Sequence, residues 1–348
     1  MADGHSKATP PTAKEPYSLS FLQAMGYLVY LTITTPIKRL VGGKPLVDGW
    51  SIRTEVVTKF LAFMMSADPA SSTKIMTTLS SLGPKTSWPP LQTDKFEAIW
   101  YGDGLNDDAC DAIVLYIHGG GFVLGRADMN AKAIVGLLST AKAEHNKTLL
   151  GLGLDYKLAP EHKFPSQLHE ALAAYEYLTT QSSKPILLVG DSAGGNLVLS
   201  LLLALKQPEN KHLRRPAAAV MVSPWCQLDY ETIAASYTKN RDTDFVGADN
   251  LSHCARAYIG TASAKDPMVS PILGDFRGCC PMLIHYGGKE VFEDDIDILC
   301  ERLKEQQVDV TAVKNPLAPH NTAIMTDLYG DMALSGSQVI AAFLAKHA

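Results

Sequence analysis

A serine, a carboxylate and a late histidine stand in this 348-residue chain in an order that suits acyl transfer. Ser192 lies in Gly190-Asp191-Ser192-Ala193-Gly194, after the apolar run Ile186 to Val189 and before the apolar segment Leu197 to Leu205. Glycines two residues to either side let a buried strand turn sharply into a helix, where a β-carbon would clash. Such a turn holds the hydroxyl out at the carboxyl end of a sheet, beside a helix N-terminus that favours developing negative charge. A serine hydroxyl is a poor nucleophile at neutral pH. It needs a base for its proton, a carboxylate to orient that base, and donors for an oxyanion. After an elbow of this kind the acid and then the histidine should follow along the chain, each just past the end of a strand.

Ten histidines compete for the role of base. His118 belongs to a glycine turn, His162 and His169 precede the serine, and His212 and His253 sit in polar surroundings. His285 is inside a strand and His347 is in the C-terminal tail. His320 alone lies late in the chain, in a loop that directly follows a strand. For the acid, Glu290 is the first carboxylate past the strand Pro281 to Tyr286, and Asp294 is the runner-up. Glu293, Asp294 and Asp295 suit a helix N-terminus, where acids complement the dipole. His118-Gly119-Gly120-Gly121 follows another strand, and consecutive glycines let backbone N–H groups converge on one point. The turn Gly119 to Gly121 is therefore the expected oxyanion hole, with the N–H groups of Gly120, Gly121 and Ala193 as its candidate donors. Phe122, Leu124 and Trp225 are candidates for the substrate pocket.

The elements that must carry these residues alternate. Strands are expected at Phe96 to Tyr101 (an edge strand), Ala112 to Ile117, Thr148 to Asp155, the elbow strand, Ala217 to Val222, Pro281 to Tyr286 and Val308 to Val313. Helices are expected at about Ala127 to Glu144, Gln167 to Thr180, Asp294 to Gln306 and Ser335 to Lys346. This alternation predicts an α/β fold with a mostly parallel sheet covered on both faces. Residues 1–15 read as a disordered tail, and residues 16–91 as a helical cap region that ends in a proline-rich linker from Gly83 to Leu91. Residues 92–348 read as the catalytic domain, with a further cap contribution from about 228–260.

The net charge of −5 gives no electrostatic reason to expect a nucleic-acid partner. None of the six cysteines forms a C-x-x-C pair, so reduced thiols and no metal site are expected. Met1 to Glu15 has no basic region followed by an apolar core, which predicts an intracellular, cytoplasmic protein without a signal peptide. No charge lies between Glu15 and Lys38, and Phe21, Leu22, Met25, Leu28, Val29 and Leu31 fall near helical spacing. Membrane association through residues 18–37 is thus possible but not favoured over a helix packed above the active site. The oligomeric state is left open.

Taken together, His118-Gly119-Gly120-Gly121-Phe122, the stretch Asp155 to His162 with Phe164-Pro165, Gly190 to Asn196, and Ser223-Pro224-Trp225 resemble the hormone-sensitive-lipase-like family of α/β-hydrolases. The resemblance covers roughly residues 95–348. It implies the α/β-hydrolase fold with an N-terminal helical cap, a serine carboxylesterase that uses no cofactor, and small-molecule esters of short or medium acyl chains, acetyl esters included. It also makes Tyr156 to Pro165 a structural support. The chain departs from the family where Glu290-Val291-Phe292 stands for the usual Asp-Pro-Leu, and in the context Pro319-His320-Asn321-Thr322. Three other readings accompany this one. They are a tailoring deacetylase, transesterase or lactone-forming enzyme of specialised metabolism; a membrane-associated lipid or steryl ester hydrolase; and a non-catalytic ligand-binding protein like the plant gibberellin receptor, which resembles the family but lacks the histidine.

Overall fold

The computed structural model describes residues 17–81, 88–229 and 233–348. Its eight strands are β1 (Pro90–Gln92), β2 (Glu97–Tyr101), β3 (Ala112–Ile117), β4 (Leu149–Leu154), β5 (Ile186–Asp191), β6 (Ala218–Val222), β7 (Met282–Gly287) and β8 (Val310–Asn315). They form one sheet in the order β1-β2-β4-β3-β5-β6-β7-β8. Strand β2 runs antiparallel to both its neighbours, and every other pairing is parallel. The helices are α1 (Phe21–Leu40), α2 (Ile52–Met65), α3 (Pro69–Ser81), α4 (Ala131–His145), α5 (Ser166–Gln181), α6 (Ala193–Ala204), α7 (Ser236–Lys239), α8 (Ala248–Ile259), α9 (Glu293–Glu305), α10 (Thr326–Tyr329) and α11 (Asp331–Lys346).

The continuous apolar runs of the sequence become strands covered on both faces. Every residue of β3, β5, β6 and β7 is buried, as helices on the two sides of a parallel sheet require. Val114, Val189 and Val220 face Ile134, Leu137 and Leu138 of α4 and Ile340 and Leu344 of α11. On the opposite side Ile113, Leu115 and Leu188 meet α5, α6 and α9 through Leu178, Leu197, Leu201 and Leu299. Helix α6 is buried along its whole length, which its apolar circumference allows. Helix α9 opens with Glu293, Asp294 and Asp295 and closes with Arg302 and Lys304, so charge of the favourable sign sits at each end of its dipole.

Boundaries differ from the sequence reading at the sheet edge and at helix starts, α11 beginning at Asp331 rather than near Ser335. Phe96 to Tyr101 is not the edge: β1 pairs outside β2, with Pro90 opposite Ile99. A proline lacks the N–H that a central ladder needs, and an edge strand accommodates it. Helix α4 starts four residues later than expected, because Ala127 N–H is taken by the Asp155 carboxylate and Arg126 to Ala131 turns on its own hydrogen bonds. Helix α1 runs through Pro36 to Leu40. The expected tail 1–15, and residues 83–87 of the expected linker, lie outside the described residues.

The N-terminal helices are fastened to the rest by polar contacts around the end of β8. Trp50 Nε1 donates to the Leu317 carbonyl at 2.7 Å, the Thr58 and Tyr329 hydroxyls lie 3.1 Å apart, and Arg53 donates to the Asp327 carbonyl. Leu317 is three residues from His320, so this helical region is tied to the loop that carries the candidate base.

Candidate active site

Ser192 stands alone between β5 and α6, with φ +51° and ψ −117°. A non-glycine residue is held there at a cost of roughly 1–3 kcal/mol, and the surroundings must impose it. They do so through the backbone. Ser192 N–H donates to the Val222 carbonyl at 2.9 Å, and the Ser192 carbonyl accepts from the N–H groups of Asn196 and Trp225, each at 3.0 Å. A β-carbon on Gly190 would overlap the Gly194 carbonyl, and one on Gly194 would overlap the Ile117 carbonyl. The glycines are thus required by the close approach of strand, helix and neighbouring strand. The Ser192 hydroxyl does not cap α6, which leaves the first-turn N–H groups without that partner.

The glycine turn after β3 lies beside the elbow. Gly120, Gly121 and Phe122 have φ of +110°, +60° and +67°. Gly119 N–H donates to Asp191 Oδ1 at 3.0 Å, so Gly119 is not a free donor and serves to anchor the turn. Asp191 holds more than this. Its Oδ1 also accepts from the Tyr116 hydroxyl at 2.6 Å, and its Oδ2 accepts from Asn321 Nδ2 at 2.8 Å. One buried carboxylate therefore joins the elbow, the glycine turn and the residue next to His320. Burial pushes Asp191 above the ordinary carboxylate range, while these donors and the field of His320 pull it back. His118 is committed to the turn: its Nδ1 lies 2.7 Å from the Gly119 carbonyl, and its ring stacks on Tyr156 at 4.2 Å. The Tyr156 hydroxyl donates to the His118 carbonyl at 2.9 Å.

His320 is 1% exposed and sits between the rings of Phe245 and Phe292, at 5.5 Å and 5.2 Å. Its Nδ1 lies 3.7 Å from Glu290 Oε2. Among the described residues neither Nδ1 nor Glu290 Oε1 has a hydrogen-bond partner. Glu290 Oε2 accepts from the Ser223 hydroxyl at 2.6 Å, and Ser223 Oγ in turn accepts from Asn321 N–H at 3.0 Å. Asp294 is directed elsewhere, since its carboxylate accepts from Ser236 N–H at 2.8 Å. Of the two carboxylates weighed from the sequence, Glu290 is the one brought to His320. Burial pushes Glu290 up to about 8, against the pull of the Ser223 hydroxyl and Gly287 N–H. Burial presses His320 below its ordinary value, while Asp244 and Asp191 act in the opposite sense. A neutral resting imidazole is the form a general base requires.

Asp244 is the site residue that sequence reasoning missed. It is buried in the segment between α7 and α8. Its Oδ1 accepts from His320 N–H at 3.2 Å and from Phe245 N–H at 2.8 Å, and its Oδ2 accepts from Val291 N–H at 2.7 Å. It thereby links the backbones of the histidine and acid loops. Burial raises it to about 6, with His320 lowering and Glu290 raising it. This segment and α7 grip the acid loop, at Asn240, whose Nδ2 donates to the Glu290 carbonyl at 2.8 Å, and at Ser236, whose hydroxyl donates to the Val291 carbonyl at 2.6 Å. No spacing in the sequence marks Asp244, because its partners are 47 and 76 residues away.

The expected pocket residues are core residues. Phe122 turns inward and stacks on Tyr258 at 3.6 Å, Trp225 stacks on Phe292 at 6.0 Å, and Phe122, Leu124 and Trp225 are all buried. Alternation about the turn sends Val123 outward instead. Val123 lines a cavity of about 710 Å³ with Ala159, Pro160, Cys254 and Ala257 on one side and Pro69, Ala70 and Lys74 of α3 on the other. Gly121 approaches this wall closely, since a β-carbon there would come within 3.1 Å of Cys254 Sγ. Among the described residues all six cysteines are free.

A family model for the alpha/beta hydrolase fold matches residues 114–324, which hold the glycine turn, the elbow, the acid and the histidine. The chain belongs to the α/β-hydrolase fold family. This α/β-hydrolase is 35% identical over 184 residues to an acetyl-hydrolase of Streptomyces hygroscopicus, a match covering 52% of this chain and 58% of the relative. It is 30% identical over 202 residues to an esterase of Acinetobacter venetianus, covering 57% of this chain and 63% of the relative. The chain thus spans about three fifths of the length of these relatives. Among solved structures, an esterase of the bacterial hormone-sensitive lipase family superposes with a TM-score of 0.75 at 28% identity, covering 86% of this α/β-hydrolase and 99% of the esterase. A hormone-sensitive-lipase homologue from a metagenome library gives 0.72 at 26% identity, covering 84% and 98%.

Proposed function

We propose that the protein is a serine carboxylesterase that hydrolyses acetyl and other short- to medium-chain esters of small molecules through an acyl-enzyme. The observation that carries this reading is the convergence at Ser192. The strained elbow and the glycine turn are held together by Asp191, Asn321 links Asp191 through Ser223 to Glu290, and Glu290 lies 3.7 Å from His320 Nδ1. With Nδ1 turned to Glu290, His320 presents Nε2 for the serine proton. Ser192 Oγ attacks the ester carbonyl as its proton passes to His320. The oxyanion is received by the N–H groups of Gly120, Gly121 and Ala193, each such donor being worth about 3–4 kcal/mol in the transition state. The His320 proton then goes to the leaving alcohol as the C–O bond breaks. Water, giving a proton to His320, attacks the acyl-enzyme, and the acid leaves as Ser192 recovers its proton. Glu290 orients the imidazole and stabilises its charged form.

The acetyl-hydrolase among the relatives supports a small acyl group. Free thiols support an intracellular setting. The catalytic unit is assigned to residues 92–348 and the cap to the N-terminal helices with α7 and α8. A p-nitrophenyl ester series from acetyl to decanoyl tests the proposal on wild type and Ser192→Ala. Turnover is expected to be highest for the shorter chains and lost in the variant; folded wild type that turns over no ester of the series would overturn the reading.

A further inference from the structure

Helix α1 carries an outward face of the wrong chemistry for water. Its residues at helical spacing on that side are Leu22, Gly26, Val29, Tyr30, Ile33, Ile37 and Leu40, continued by Val41. Leu22, Leu40 and Val41 are 81%, 85% and 79% exposed, and Val29, Tyr30, Ile33 and Ile37 are each more than half exposed. A surface helix ordinarily turns polar residues outward, and a continuous exposed apolar stripe marks an interaction surface. The stripe is not what holds the helix in place. Ala24, Leu31 and Thr35 face inward, Tyr27 packs on Phe63 of α2 at 4.3 Å, and a capping box between Ser20 and Gln23 starts the helix.

We propose that this face lies in the interface of an anionic lipid membrane. Charge supports that occupant. No aspartate or glutamate occurs from residue 16 to residue 47, while Lys38, Arg39 and Lys44 gather at the C-terminal end of the stripe. Lys38 and Lys44 are exposed, and Arg39 pairs with Glu55. An apolar stripe bounded by cations is the signature of a helix lying in the headgroup region, with tyrosine suited to the same depth. Twenty residues give a strip about 30 Å long. Among the described residues no helix is long and apolar enough to cross a membrane, so the helix lies on the bilayer. A second copy of the chain would need a self-complementary groove for this convex ridge; a lipid surface needs none.

The position of α1 gives the contact a purpose. A cavity of about 410 Å³ is lined by Ser20 and Gln23 at the start of α1 together with Ala70 and Lys74. Ala70 and Lys74 also line the larger cavity that reaches Val123 and Cys254 beside the glycine turn. Docking on α1 would hold these cavities close to the lipid phase, from which an ester could be drawn. That last step rests on the esterase reading; the binding itself does not.

Flotation of the full-length chain with vesicles of phosphatidylcholine, with and without phosphatidylserine, tests the proposal. Wild type is expected to float with the anionic vesicles, and Ile33→Asp/Ile37→Asp to lose at least about tenfold in binding. Lys38→Glu/Lys44→Glu should lose binding to anionic vesicles selectively. Circular dichroism and turnover of soluble p-nitrophenyl acetate should match wild type in both variants. Wild type that floats with neither vesicle, or an isoleucine variant that floats as well as wild type, would overturn the proposal. So would a non-floating dimer that the isoleucine substitutions split, which would give the face to a second copy.

Discussion

At Ser192 a single residue combines positive φ and the helix N-terminus with the hydroxyl proposed to attack, and the groups around it are proposed to divide the remaining work. Glu290→Gln should lower kcat by at least about 10³-fold, whereas Asp294→Asn, whose carboxylate faces Ser236, should leave kcat within about threefold of wild type. Steady-state kinetics on the two purified variants separates them. Because burial presses His320 down and lifts Glu290 to about 8, kcat/KM should rise along an acid limb with a midpoint below the ordinary histidine value of about 6.5 and climb further to its plateau as Glu290 ionises near 8. The titratable groups facing His320 are Asp244, Asp191 and Glu290, and the charges that raise it are those of Asp244 and Asp191. Removing one anion makes the imidazolium harder to form. Asp244→Asn should therefore move the acid limb to lower pH and lower the plateau about tenfold. A residue with only a packing role would lower Tm without moving the limb, and an unmoved limb would assign Asp244 that role.

The N-terminal helices α1 and α2 are held as elements by Glu55. Its carboxylate takes Arg39 of α1 at 2.8 Å, Lys59 of α2 at 2.6 Å and Leu46 N–H of the connecting loop at 3.3 Å. Burial alone would raise Glu55, but these donors hold it at about 2, against 4.5 in the unfolded chain. The stabilisation from its charge is fully present above about 4.5 and is lost as pH falls through about 2. Glu55→Gln should destabilise by about 1–3 kcal/mol at neutral pH. The Tm gap to wild type, followed by thermal denaturation, should close on acidification; a gap that persists at the acid end would refute this account of the helix pair. At the sheet, Gly194→Ala would drive a methyl into the Ile117 carbonyl, and most of that variant is expected in the insoluble fraction on expression.

Over the whole molecule, what could be read from the sequence was what is local. β3, β5, β6 and β7 follow from unbroken apolar runs, and the elbow and glycine turn follow from glycines whose spacing is set within a few residues. The approach of Glu290 to His320 is readable too, because in this fold each follows its own strand. The three-residue edge strand β1 was missed because its proline and brevity look like a linker. An aromatic beside a motif carries no sign of which way it turns: Phe122 stacks inward on Tyr258, and Val123 lines the cavity. Asp244 and the bridging role of Asp191 depend on loops brought together by the finished sheet, and no local pattern encodes them. The exposed stripe of α1 was visible as apolar spacing, but only packing decides which of its apolar residues face α2 and which face outward.

The central claim is that acyl transfer passes through Ser192. Its most direct test is mass spectrometry of protein quenched during turnover of p-nitrophenyl butyrate, with the acylated peptide sequenced. A butyryl group on the peptide containing Ser192, absent from Ser192→Ala together with turnover, is the expected result. Turnover that survives in Ser192→Ala, or a butyryl group found only on another residue, would contradict it.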